Sequence, residues 1–339
     1  MFSQKVSPMT APTLDVVAIG NAIVDILAPA ENSLISELGL TPGGMQLVDA
    51  AGADALYAKM GSAVEASGGS AANTIAGMAA LGQSCGFIGQ VADDQFGKVF
   101  THDIHAIGVA FDTPARSSEP PTAQCLIFVT PDGQRTMNTF LGASQYLPAS
   151  AIDHAVIESA AILYLEGYLW DPEEPRAAMR AAIATARNAG RKVAFTLSDG
   201  FVISRHGADF QALIDAGQID ILFANEGEIA ALTGVDDFDA GVATVSGKVP
   251  LLVVTRGEQG AIAVQGGVRT QVAAEPIAKV VDTTGAGDLF AAGFLSGQAQ
   301  GRSIADSLTM GAVCAAEIIS HYGPRPEGDL KALVAARLG

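Results

Sequence analysis

Ile219-Asp-Ile-Leu-Phe-Ala-Asn-Glu-Gly-Glu-Ile-Ala-Ala-Leu232 joins a short apolar run to a helix-forming one through a polar turn. Residues 219–224 are few and almost uniformly apolar, which predicts a strand buried on both faces. From Gly227 the Ala- and Leu-rich sequence predicts a helix to Leu232. The same unit recurs on either side. Apolar runs at Ile162–Leu165, Lys192–Thr196 and Leu251–Thr255 alternate with Ala-rich helical stretches, among them Pro175–Ala189 and Gly285–Gly297. Alternation of this kind predicts an α/β fold with a mostly parallel central sheet flanked by helices on both faces. Such a sheet takes its ligands at the carboxyl ends of its strands. Asn225-Glu226-Gly227-Glu228 and Val253-Val-Thr255-Arg256-Gly257 fall there.

Toward the N-terminus, Leu14–Gly20 predicts a further buried strand, and Ser70–Leu81 a helix that opens after Gly68-Gly69 and stops at Gly82. Residues 21–62 are mixed, with a turn at Pro42-Gly43-Gly44 and a short apolar element at Met45–Val48. Thr122–Thr130 and Arg135–Phe140 flank the turn signal Pro131-Asp132-Gly133 and predict a hairpin. It interrupts the strand–helix rhythm, which assigns it to a small sheet projecting from the main body. No internal repeat is visible, and Ser117–Pro121 reads as a loop within one domain spanning 14–339.

The chain has 339 residues, 49% of them hydrophobic, enough for a sizeable core. No apolar run approaches the roughly 18–20 residues of a spanning helix. Met1–Thr13 carries Lys5 without a following apolar stretch, so it reads as a flexible leader and not a secretory signal. Cys85, Cys125 and Cys314 are scattered without a CxxC, which predicts buried free thiols and a reducing, cytoplasmic setting. A formal charge of −17 with no basic cluster excludes nucleic acid as a partner. An anionic ligand must then be held by local devices: helix N-termini, backbone amides and Mg2+.

Asp282-Thr283-Thr284-Gly285-Ala286-Gly287-Asp288, followed by the apolar helix Leu289–Gly297, is such a device. Small residues at 285–287 let amides at a helix N-terminus approach an anion, while Asp288 in the first turn can take a proton from an attacking hydroxyl. The plainer alternative is a Gly-rich turn in which Asp288 complements the helix dipole. Gly68-Gly69-Ser70-Ala71-Ala72-Asn73 offers close backbone approach and Asn73 in the first helical turn, suited to substrate hydroxyls, or simply a loop-to-helix entry. Gly20-Asn21-Ala-Ile-Val-Asp25 places a carboxylate after a buried strand, able to accept from vicinal hydroxyls or serving as a turn residue. Asn225 and Glu228 start a helix at i and i+3, either facing a hydrated Mg2+ or forming an N-cap with acidic first-turn residues. No P-loop, GxSxG, HExxH or dinucleotide fingerprint occurs, which excludes those mechanisms.

Taken in this order, these segments resemble the ribokinase-like (PfkB) carbohydrate kinase family over residues 14–338. The resemblance implies a Rossmann-like body with a β-sheet lid built from parts of 21–50 and 111–142. It implies ATP and Mg2+ as cofactors, with Asp288 as base and Gly285, Ala286 and Gly287 forming the anion hole. By the same comparison Asn21, Asp25, Gly68, Gly69, Ser70 and Asn73 bind substrate, and Asn225, Thr255, Gly257 and Arg135 bind ATP. Glu228 affects Mg2+ indirectly, and Asp282 and Thr284 match positions for a monovalent cation such as K+. Gly44-Met45-Gln-Leu-Val-Asp49 and Tyr164-Leu-Glu-Gly-Tyr-Leu-Trp170 are similar to the adenosine-phosphorylating members. Phosphorylation of adenosine at the 5'-hydroxyl is therefore expected, with Phe128 and Phe140 as candidate base contacts. Ribose, fructose, 2-keto-3-deoxygluconate, inosine and guanosine remain open as acceptors. A non-catalytic nucleoside sensor is the alternative of another class, and monomer and homodimer both stay open.

Overall fold

A computed structural model of the protein describes residues 11–117, 119–132 and 134–339. Most of the expected leader and Gly133 of the predicted turn lie outside the described residues. In chain order the strands are β1 (Leu14–Ile19), β2 (Ile23–Pro29), β3 (Met45–Leu47), β4 (Val64–Gly68), β5 (Cys85–Ile88), β6 (Ala123–Val129) and β7 (Arg135–Phe140). They continue as β8 (Ala160–Glu166), β9 (Lys192–Thr196), β10 (Ile221–Asn225), β11 (Leu251–Thr255), β12 (Ala261–Gln265) and β13 (Val268–Val272). The main sheet has the order β13-β12-β11-β10-β9-β8-β1-β5. Its strands are parallel from β5 to β11, and β12 and β13 close the other edge antiparallel. Alternation of side chains sends Val16 and Ala18 of β1 to one layer and Val17 and Ile19 to the other.

The helices Ser70–Ala80, Gln95–Ala106, Ala286–Ala299 and Ile304–Ile318 cover the first face. Helices Glu173–Asn188, Gly200–Asp215, Glu226–Thr233 and Phe238–Ser246 cover the second. The sheet is thus buried on both sides, which is why its strands read as continuous apolar runs. Trp170, Phe195 and Phe210 meet edge-on in the second layer, with centroids 5.1–6.0 Å apart.

A second sheet of five strands, β3-β7-β6-β2-β4, stands apart from the first. The predicted hairpin is its β6–β7 pair. Two members were not anticipated. β2 falls within the range 21–50 expected to contribute to the lid, but no strand is predicted around Asp25; its pairing with β4 and β6 makes it a central strand. β4 lies outside the ranges 21–50 and 111–142. Tertiary pairing outweighs the weak local propensity in both cases.

Candidate active site

A cavity of about 500 Å³ lies between the carboxyl ends of the main-sheet strands and one face of the second sheet. Strand alternation selects that face. Cys125 and Ile127 of β6 and Met137 and Thr139 of β7 line the cavity. Leu126, Phe128 and Phe140 point the other way, into a separate core with Ile35, Leu40, Ala53 and Leu56. The expectation that Phe128 and Phe140 contact a base is therefore wrong: they are core residues of the opposite face. Tyr168 and Phe201 reach the cavity instead, just beyond β8 and β9. Ser198 has φ 71, the one non-glycine residue at positive φ among the described residues. Its Oγ accepts from the amides of Gly167 (2.9 Å) and Tyr168 (3.3 Å), fixing the turn that carries the tyrosine.

Asp282–Asp288 behaves locally as its sequence predicts. Gly285 is the N-cap at φ 77, a conformation that disfavours a side chain, and the helix begins at Ala286. Asp288 sits in its first turn. Thr283, Thr284, Gly285, Ala286, Gly287 and Asp288 all line the cavity. Ser70 Oγ donates to Asp288 Oδ1 (2.6 Å) and Asn73 Nδ2 to Oδ2 (3.0 Å). An edge of Asp288 meets the cavity, but the carboxyl is otherwise enclosed by protein. That burial raises its pKa above the usual carboxylate value, against the lowering effect of Ser70, Asn73 and Arg325.

The entry to the helix Ser70–Ala80 joins three acidic groups. A side chain at Gly68 would meet the Asp25 carboxylate at 2.3 Å, and one at Gly69, φ 100, would meet Asn21 O at 2.2 Å. Two glycines here are thus a steric requirement. Asp25 lines the cavity, and burial pushes its pKa up to about 7. Asn73 Oδ1 is buried without a hydrogen-bond partner beside the cavity, an acceptor free to meet a hydroxyl. Asn21 is engaged at both ends: its backbone N–H and Nδ2 donate to Glu166 Oε1 (2.7 and 2.6 Å), and Oδ1 accepts from Ser144 Oγ (2.8 Å). It holds the loop as much as it faces the cavity.

Asn225 and Glu228 form a closed capping box. Asn225 Oδ1 accepts from the Glu228 amide (2.8 Å), while Glu228 accepts from the Asn225 amide (3.0 Å) and Nδ2 (2.7 Å). The plainer N-cap reading therefore holds, yet both residues also line the cavity. Burial pushes Glu228 up to about 7. Among the described residues no group of three or more His, Cys, Asp or Glu could hold a metal ion. The donor set suits a hydrated Mg2+ carried largely by phosphates and touched by one carboxylate. Thr255 lines the cavity, whereas Gly257 lies in the next turn, outside its wall.

Arg135 and Asp282, expected in separate roles, form one ion pair. Arg135 Nη2 lies 2.6 Å from Asp282 Oδ2, with both side chains buried. Asp282 Oδ1 also accepts from the Thr284 amide (3.0 Å) and Oδ2 from the Gly323 amide (3.3 Å). With a guanidinium already on this carboxylate, Asp282 and Thr284 do not form a monovalent-cation site as arranged. Arg135 does not line the cavity; its Nη2 faces Asp282, while its Nε and Nη1 are buried without a hydrogen-bond partner.

Several residues escaped sequence reasoning. Glu166, fully buried at the end of β8, accepts from Asn21 and from the Ala71 amide (2.7 Å), and burial pushes it up to about 7. Its signal was a carboxylate closing an apolar strand on the ligand side of the sheet. Tyr168 and Phe201 carried the same positional signal. Ser144 and Arg325 carried none.

Fold and site together define a kinase class in which a helix N-terminus and a carboxylate face one cavity. The chain belongs to the pfkB family of carbohydrate kinases, whose model matches residues 14–329, and it is an ATP-dependent kinase. A fructokinase of Klebsiella pneumoniae is 30% identical over 245 residues, 70% of this chain and 79% of that protein. The structure of a probable sugar kinase protein from Rhizobium etli CFN 42 superposes with TM-score 0.91 at 43% identity, covering 96% of this chain and 99% of that one. Adenosine kinase from Sinorhizobium meliloti superposes with TM-score 0.89 at 46% identity, covering 96% and 98%.

Proposed function

We propose that this chain transfers the γ-phosphoryl group of ATP to the 5'-hydroxyl of adenosine, with Asp288 as the general base. One observation carries the reading: a carboxylate held by Ser70 and Asn73 opens into the same cavity as the helix N-terminus at Gly285–Gly287. In this reading the amides at 285–287 stabilise the charge of the transferring phosphoryl group while Asp288 accepts the hydroxyl proton. Asp25 and Asn73 hold sugar hydroxyls, and Gly68, Gly69 and Ser70 shape the surface around them. Asn225 and Thr255 face the nucleotide, Glu228 reaches its Mg2+ through water, and the second sheet serves as a lid that excludes water.

Two features favour a nucleoside over a free sugar. The match to the S. meliloti adenosine kinase extends over nearly the whole chain, at higher identity than the fructokinases reach. Tyr168 and Phe201 add aromatic surface to the cavity, which a planar base uses and a small polar sugar does not. Fructose is the second reading, favoured by the Klebsiella relative. Three buried free thiols fit a cytoplasmic enzyme.

The test is coupled ATP-to-ADP turnover with adenosine, inosine, guanosine, ribose, fructose and 2-keto-3-deoxygluconate. Adenosine is expected to give the highest kcat/KM. A free sugar in first place would discard the nucleoside assignment and leave the kinase chemistry standing. No turnover with any acceptor, alongside measurable ATP binding, would favour the sensor.

A further inference from the structure

Arg325 lies between the helices Ile304–Ile318 and Leu330–Leu338 and reaches back 258 residues to Ser67 and 253 to Ala72. Its Nε donates to Ser67 O (2.9 Å), Nη2 to Ser67 Oγ (2.9 Å) and Nη1 to Ala72 O (2.8 Å). These anchors flank the residues that carry the two cavity carboxylates. Ser67 precedes Gly68, against which Asp25 lies. Ala72 sits between Ser70 and Asn73, which hold Asp288. A guanidinium is thus clipped to the backbone segment that both aspartates rest on. Arg325 does not line the cavity, so it acts on substrate only through other groups.

We propose that Arg325 is a positioning residue of the active site, whose guanidinium clips the Ser67–Ala72 segment and so sets a cation behind the backbone on which Asp25 and Asp288 rest. The charges around it make the need plain. Asp288 is felt by the enclosed groups Asp25, Glu166, Tyr164 and Tyr168, and among the described residues Arg325 is the one cation that lowers its pKa, after the hydrogen bonds from Ser70 and Asn73. Asp25 is stabilised as an anion by Arg325 and Arg135 and destabilised by Asp288, while Cys125 and Asp103 complete the setting. Burial raises both aspartates, and Arg325 opposes the rise in each. In a chain of net charge −17, no general positive field would replace it.

The proposal rests on Asp288 being the base, and the two can fail separately. The experiment is the pH dependence of kcat/KM with adenosine and Mg·ATP (fructose if that is the better acceptor) for wild type, Arg325→Gln and Arg325→Lys. Glutamine keeps hydrogen-bond donors without charge; lysine keeps charge with fewer anchors. Without the cation Asp288 ionises only at higher pH, so the acidic limb in Arg325→Gln should move up by about one pH unit, with activity recovering on the alkaline side. In Arg325→Lys the limb should stay at the wild-type position despite a lower melting temperature. Limbs unmoved in both variants, or moved equally in both, overturn the role. Should Arg325→Gln not fold, Arg325→Met takes its place as the uncharged variant and is read against Arg325→Lys in the same way. An Asp288→Asn enzyme with wild-type kcat would remove the premise, whatever the Arg325 variants show.

Discussion

Asp288 is pulled two ways: burial favours its protonated form, whereas hydrogen bonds from Ser70 and Asn73 favour the carboxylate. A base whose pKa is raised toward the working pH accepts a proton more readily once ionised, at the cost of a smaller ionised fraction. Asp288→Asn keeps the shape and removes the base. It should lower kcat by about 10²–10⁴ while ATP affinity stays within a few-fold, measured by coupled turnover and calorimetric titration. Near-normal kcat would sink the assignment. The site's chemistry was partly legible at this scale, because Gly285-Ala286-Gly287 before a helix has few other uses. The partners of Asp288 were not: Ser70 and Asn73 are 218 and 215 residues away.

The element that matters most beyond the main sheet is the second sheet, and its tie to the turn at 282–288 is the pair Arg135–Asp282. Removing one partner strands a buried charge, so Arg135→Ala should destabilise the fold by about 3–5 kcal/mol. Denaturant melts measure this, and amide exchange should quicken in β6 and β7. Arg135→Ala combined with Asp282→Ala should cost less than the sum of the single changes, since neither charge is then left alone. Full additivity would show that the pair does not tie the sheet to the turn. The hairpin β6–β7 could be read from its turn residues. β2 could not, because Asp25 sits where a half-buried strand shows an apolar residue, and only the cavity beyond explains it.

Across the whole molecule, three buried carboxyls, Asp25, Glu166 and Glu228, have pKa values pushed up to about 7 by burial. A carboxyl raised in this way contributes stability that is fully present below its unfolded value and lost as pH rises through the folded one. The window here runs from about pH 4, where the unfolded carboxyls ionise, to about 7, and the loss levels off above it. The ligand-free protein should therefore melt at higher temperature at pH 6 than at pH 8, by about 1 kcal/mol per group. Relief of self-repulsion at net charge −17 acts in the same direction. Glu166→Gln should lower the difference by about a third, and a melting temperature that rises from pH 6 to pH 8 would contradict the argument. With Asp288 as the proposed base, turnover should follow the opposite slope, since a base must be ionised to act.

By itself the sequence determined the layered α/β body, since apolar runs too short for helices, alternating with Ala-rich stretches, have few other ways to bury their faces. It also determined the two helix entries, where Gly69 and Gly285 permit a backbone that other residues disfavour. Tertiary structure alone decided which residues meet. A period of two divides β6 into two faces without saying which one sees the cavity, so Phe128 and Phe140 were assigned to the wrong side. Glu166 under Asn21, Arg135 on Asp282 and Arg325 on Ser67 join segments roughly 145 to 260 residues apart. Local propensity extends over a few turns of chain, and carries no information about which distant segment will supply the opposite charge.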